Sequence, residues 1–162
     1  MDDDLNDNRE ISDMLREWDK DPRDLKRAFL ELKGRLESKE NTRITFKSRP
    51  GVSYSLRASL TGGDREEENM FALIDIIDDD PESRWLSVCF YNGTITDDDE
   101  LGNLIPEGIL GEDGYCFDLD GNDEYMISYL KDRIDEAHRK MILICRSKGH
   151  RPLPFGFSGS PR

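Results

Sequence analysis

Three stretches of this chain repeat apolar residues every three or four positions, and the stretches between them repeat every two. Ile11, Met14, Leu15 and Trp18 fall at i, i+3, i+4 and i+7, which predicts a short helix ended by Asp19–Asp21. Asp21-Pro22 opens a longer helix: Asp suits the N-cap, and Pro suits the first helical position, where a missing N–H costs nothing. Asp24 adds negative charge near the positive end of the helix dipole. Leu25, Phe29, Leu32 and Leu36 then mark one face, so the helix runs over 22–38. Near the end of the chain Met126, Leu130, Ile134, Ala137 and Met141 predict a helix over 123–142.

Period two governs the middle. Residues 42–47 alternate, with Ile44 and Phe46 on one side. Pro50-Gly51 is a turn pair, Pro fixing φ and Gly accepting a positive one. Val52, Tyr54, Leu56, Ala58 and Leu60 alternate with Ser53, Ser55, Arg57 and Ser59, a strand with one wet face. The two segments read as a hairpin. Residues 70–77 are apolar except for Asp75, and 85–91 form a second apolar strand, with Asp78-Asp79-Asp80-Pro81 in the connecting loop. Apolar residues on both faces place these two strands mid-sheet. Asn92-Gly93 is a strong hairpin signal. Residues 101–114, with four glycines and a proline, read as a long loop, and 115–118 as a short strand.

The expected architecture is therefore α+β: a mostly antiparallel sheet of about five strands packed against an N-terminal and a C-terminal helix. Leu25, Phe29, Leu32, Tyr54, Leu56, Leu73, Ile74, Leu86, Val88, Phe90, Leu130 and Ile134 are the expected core. At 162 residues this is one domain. Its bounds are 8–145, between a disordered acidic N-terminus (1–7) and a disordered basic Pro/Gly tail (146–162).

Charge narrows the function. Lys and Arg number 23 and Asp and Glu 36, a net charge of −13. The tail's four basic residues contribute +4, so the rest of the chain carries −17. Such a body repels phosphate backbones, so no nucleic acid is expected as partner. No apolar run is long enough to span a membrane. The acidic start lacks the basic and apolar regions of a secretion signal, which predicts a cytoplasmic protein with Cys89, Cys116 and Cys145 reduced. Cys89 and Cys116 then act as small buried hydrophobes.

The carboxylate clusters are the candidate chemistry. Asp97, Asp98, Asp99 and Glu100 form a candidate metal site, because hard cations take oxygen ligands. Asp78–Asp80 lie at the other end of strand 85–91, roughly 20 Å away at ~3.3 Å per residue, so the clusters cannot share an ion. Asp118–Glu124 fails the calcium-loop register, with Gly121 at position four and Tyr129 at twelve. Its acids suit a strand-end turn and a helix N-terminus instead. Three cysteines and two histidines, His138 and His150, give neither a zinc set nor a nucleophile–base pair in an evident frame. No phosphate loop or dinucleotide fingerprint occurs. Neither a catalytic residue nor a cofactor-binding residue is assigned. In the tail, Arg146, Lys148, Arg151, Phe155 and Phe157 form a candidate partner-binding segment.

From Leu25 to Met141 the pattern resembles the YdhG-like family of small bacterial domains. The likeness lies in the first helix, the Trp85-Leu86-Ser87-Val88-Cys89-Phe90-Tyr91-Asn92-Gly93 strand-turn, the acidic connector, the Gly114-Tyr115-Cys116-Phe117 strand and the closing helix. The family's yGmP-like segment is replaced by Ile44-Thr45-Phe46-Lys47. The resemblance implies a frataxin-like α–β–α sandwich, and in one branch an iron chaperone. Frataxin-like proteins bind iron on an acidic first helix and a nearby sheet edge. Here that helix carries Asp24, Glu31 and Glu37 among Arg23, Lys26, Arg27, Lys33 and Arg35.

Taken together, these features predict a non-catalytic binding or adaptor domain acting on a protein partner through its acidic surface and basic tail. Ferrous-iron binding by carboxylates is the alternative, and a small enzyme using a carboxylate as acid and base is a third reading.

Overall fold

The computed structural model describes residues 2–62 and 69–148. In chain order the elements are α1 (Asp2–Glu17), α2 (Leu25–Glu37), β1 (Thr42–Arg49), β2 (Ser53–Leu60), β3 (Met70–Ile77), β4 (Trp85–Tyr91), β5 (Asn103–Ile109), β6 (Glu112–Leu119) and α3 (Glu124–Ser147). The strands form one antiparallel sheet in the order β1-β2-β3-β4-β6-β5. The class is α+β as expected, with six strands rather than five. β3 and β4 hold the centre.

All three helices pack on the same side. Ile11, Met14 and Trp18 of the α1 region, Phe29, Leu32 and Leu36 of α2, and Leu130, Ile134 and Ala137 of α3 share one apolar cluster with Leu56, Ile74, Leu86, Val88, Phe90 and Phe117. Most are fully buried, and truncating such a Leu or Ile to Ala costs about 2–5 kcal/mol. Tyr54 is only half-buried, leaning on this cluster and stacked on Phe46. Leu73 points the other way, into a small second cluster with Met70, Cys89 and Ile109. A bulge between Ala58 and Ser59 lets Phe71 and Ala72 both reach the helix side. Ion pairs tie α2 to α3: Arg35 and Lys39 to Asp135, each at 2.6 Å, and Lys131 to Glu31 at 2.9 Å.

The helix boundaries differ from the sequence pattern for local reasons. Asp21 does cap α2, but across an extra turn: its carboxylate accepts from the backbone N–H of Leu25 and Lys26, at 2.7 and 3.0 Å. Asp24 takes left-handed backbone before Leu25 begins the helix. Residues 2–7, expected to be disordered, belong to α1. Asp7 explains part of this, because its carboxylate accepts from the backbone N–H of Phe46 on edge strand β1, at 3.1 Å. α3 runs five residues past its predicted end, and Cys145 is buried against the core with its thiol on Asn69 Oδ1.

Residues 101–114 correct the sequence most. They hold β5 and the start of β6, joined by Leu110-Gly111, both with positive φ. Two left-handed residues make the primed turn that a right-twisted hairpin needs. Gly111 suits that turn and Leu110 does not, so the sequence carries only half its signal. β5 also breaks register between Ile105 and Ile109, around Pro106 and left-handed Glu107. Asn92-Gly93 does not close a hairpin. It opens the 92–102 loop, and β4 pairs with β6 instead.

That pairing sets Cys89 opposite Cys116, Cα atoms 4.1 Å apart, and the two are disulfide-bonded rather than reduced. A 27-residue spacing gives no hint of this; only the register does. Closing a loop of that length removes denatured-state entropy worth about 3–4 kcal/mol. Replacing both cysteines with serine, or adding reductant, is expected to lower the denaturation midpoint accordingly. Reductant should not affect the double variant. Unchanged urea curves would show the bond contributes nothing.

Candidate functional site

The predicted metal cluster occupies the 92–102 loop, between the sheet end and α3. Asp97 is enclosed by donors. It accepts from the hydroxyls of Tyr115 (2.6 Å) and Tyr129 (2.7 Å) and from the backbone N–H of Leu101 and Gly102 (both 3.0 Å). Burial works against its charge, but these four donors outweigh it and hold its pKa at about 2. The same bond pushes the Tyr115 hydroxyl up to about 12. Asp99 accepts from the Tyr125 hydroxyl, and Thr96 is tied to Glu136 at 2.7 Å. Asp98 and Glu100 are exposed. The four residues are adjacent in the chain but do not converge: Asp97 is enclosed by Tyr115, Tyr129 and two backbone amides, while Asp99 lies exposed against Tyr125, Tyr125 and Tyr129 both being on α3. Among the described residues, no group of three or more His, Cys, Asp or Glu is placed to hold a metal ion.

The other acidic runs are also fastened to neighbours. Asp78, expected in a hydrated loop, is buried; it accepts from Arg84 Nε at 2.7 Å and from the Gly51 backbone N–H at 2.8 Å. Burial pushes its carboxyl up, but those donors outweigh it and hold it below the usual range. Asp120 pairs with Arg23, and Asp123 caps α3 through the Met126 N–H, as the turn-and-cap reading predicts. His138 is half-buried against Phe71, with Nε2 2.8 Å from the Glu40 carbonyl. In the candidate tail, Arg146 and Lys148 are exposed at the end of α3. Arg151, Phe155 and Phe157, with His150, lie outside the described residues.

The less expected surface is the sheet face away from the helices. Phe46 and Ile44 point into the core cluster, so Arg43, Thr45, Lys47 and Arg49 of β1 line the opposite face. β2 adds Ser53, Ser55, Arg57 and Ser59. Register puts these residues in rows: Lys47–Ser55–Asp75–Ser87 across β1 to β4, with Thr45–Arg57–Leu73–Cys89 beside it. Arg57 Nε donates to Ser55 Oγ at 3.3 Å. Burial pushes the Asp75 carboxyl up, opposed by Ser55, Arg57 and Arg49. Asp75 Oδ1 is buried without a hydrogen-bond partner.

Arg43, Lys47, Arg49 and Arg57 form no ion pair among the described residues, whereas Arg23, Arg35, Lys39, Arg84, Lys131 and Arg133 all do. Four cations thus face one carboxyl on a protein whose net charge is −13. Sequence reading saw the wet Ser/Arg face of β2 but not that β1 adds three cations to its one. An acid–base enzyme would need a raised carboxyl in a concave pocket. Asp75 supplies such a carboxyl, but it lines neither the cleft of about 560 Å³ between α1 and β1 nor the smaller one beside Trp18.

No family model, curated protein or solved structure matches this chain. Among the described residues no helix is long and apolar enough to cross a membrane.

Asp97 gives a direct test of its structural role. Its pKa is lowered on folding, so its contribution is present above the unfolded value near ~4 and fades as pH falls towards 2. Asp97→Asn is expected to cost about 1–2 kcal/mol at pH 7, the linkage value being reduced by partial exposure to water. Urea titrations from pH 7 to pH 2 should show the two proteins converging. A constant gap would mean the carboxylate charge is not what holds the loop.

Proposed function

We propose that this chain is a non-catalytic protein-binding domain whose recognition surface is the sheet face opposite the helices. The observation that carries the proposal is the set Arg43, Lys47, Arg49 and Arg57, on one sheet face and without an ion pair among the described residues; Arg57 and Arg49 act on the charge of Asp75, whose Oδ1 has no hydrogen-bond partner. Exposed Arg139, Lys140, Arg146 and Lys148 also lack an ion pair among the described residues, so what marks these four is their alignment at alternate positions on one sheet face, which suits a partner that brings carboxylates at the same interval. An orphaned buried acceptor carries a desolvation cost that a bound donor would relieve. The acidic loops support this reading less well, because Asp78, Asp97 and Asp99 already have donors.

The cytoplasm is the proposed compartment, and the Cys89–Cys116 bond is the observation that stands against it. Its thiol buffers would hold Cys89 and Cys116 apart as thiols, and an oxidising compartment would keep them bonded. Alkylation in cells lysed directly into denaturant distinguishes the two: labelling of both cysteines supports the cytoplasm, and protection until reduction opposes it.

The binding surface is tested with a photo-crosslinking amino acid at Lys47, exposed on β1, and at Leu30, exposed on α2, as control. Discrete protein adducts are expected at Lys47 in living cells, absent at Leu30, and lost when Arg49→Gln and Arg57→Gln are added. Equal adducts at both sites, or none at Lys47, would remove this face from consideration.

A further inference from the structure

The same face narrows the chemistry of its partner, an inference that rests on the binding reading above. We infer that it takes an extended acidic polypeptide segment, with carboxylates at alternate positions lying along β1 and β2.

The spacing is the first reason. Arg43, Lys47 and Arg49 sit at every second residue of one strand with Thr45 between them, so successive positions are roughly 6.6 Å apart and the row spans about 20 Å. An extended peptide repeats its own side chains on one side at that same interval. Arg57, directly opposite Thr45, adds a cation at the one position β1 lacks. The floor is the second reason. Ser53 and Ser55 are buried, at 5% and 1% exposure, although they lie on the face that no described helix covers. These short side chains lie beneath their longer neighbours on the same face, Lys47, Arg49 and Arg57 among them, so a peptide would rest across those long side chains rather than enter a groove.

Donor chemistry is the third reason. Arg57 lies along β2 with its Nε on Ser55. Swinging out to meet a carboxylate, it releases Ser55, the neighbour of Asp75, whose Oδ1 has no donor. A peptide supplies both halves, carboxylates from its side chains and N–H groups from its backbone; a simple anion supplies only the first. A phosphodiester chain could also carry donors. It carries a charge on every unit, however, and beyond the four cations meets Asp79, Asp80 and Glu82, exposed at the β3–β4 turn past the Arg49 end, whereas a peptide can place neutral residues there.

The full-length chain is titrated against a fluorescein-labelled twelve-residue peptide of alternating Glu and Ser. A Gln/Ser peptide and a twelve-nucleotide oligothymidylate serve as comparisons, read by anisotropy and by backbone amide NMR shifts. The Glu/Ser peptide is expected to bind at least tenfold more tightly than either, to shift amides of 43–57, and to weaken as salt rises. Arg49→Gln with Arg57→Gln should lose at least tenfold. Arg43→Gln with Lys47→Gln, both on the exposed edge strand, should lose a similar amount without disturbing the fold, and Arg139→Gln with Lys140→Gln on α3 should change nothing. No binding of the Glu/Ser peptide, equal binding of the Gln/Ser peptide, or tighter binding of oligothymidylate would each overturn the inference. If the peptide fails while crosslinking at Lys47 persists, the partner is simply not acidic. If both fail, the binding reading falls with it.

Discussion

A β-strand has two faces, and the described helices of this protein cover only one. That constraint organises the rest. Every second residue of β2 must satisfy a core of Phe, Leu and Ile, and every other residue must satisfy something else. The helix side is closed by α1, α2 and α3 and fixed in register by large side chains with no exposure. The far side carries serines, Lys47, arginines and one aspartate at the β1–β2 end, and a small apolar cluster with the cystine towards β5 and β6. A one-residue slip of β2 would bring Arg57 into the core and Leu56 out of it, so the pattern that makes the fold stable also fixes which groups the far face displays.

The charge census takes a different meaning once the chain is folded. Thirty-six acids suggest a hydrated, repulsive surface. Many of them instead serve as hydrogen-bond acceptors for the backbone: Asp7 for β1, Asp21 and Asp123 for helix starts, Asp78 for the Gly51 turn and Asp97 for the 92–102 loop. Carboxylates fixed this way are poor ligands for anything that would have to displace their donors. Several helix cations are matched to acids across the α2–α3 contact. The local excess of positive charge on β1 and β2 follows from this distribution rather than from composition, which predicts the opposite sign.

Most of the architecture was legible from periodicity. The hairpin of β1 and β2, the central pair β3 and β4, and the helices α2 and α3 all follow from patterns of two and of three to four. What was hidden had physical causes. β5 carries a proline, a left-handed glutamate and a turn built on Leu110, none of which signals a strand. Cys89 and Cys116 meet only because β4 skips its sequence neighbour to pair with β6. Residues 2–7 look too polar to order, and they do so as part of a helix whose apolar residues lie further on. The site was half visible. Arg57 and the serines stood out as a wet face, but their alignment with Arg49, Lys47 and Asp75 is a property of register, which no single segment contains.

The bond from Asp7 to the Phe46 amide also determines how the sheet ends. At β1 one outward-facing amide, that of Phe46, is already taken by a carboxylate carried on α1. At the β5 end, Leu104 and Ile105 lie open, but Pro106 and the break in pairing after Ile105 leave too short a run to template a neighbour. One border is guarded by a side chain from elsewhere in the chain, and the other by its own irregularity. Both borders are thus finished by different means, and neither offers a long regular run of free backbone to a further strand.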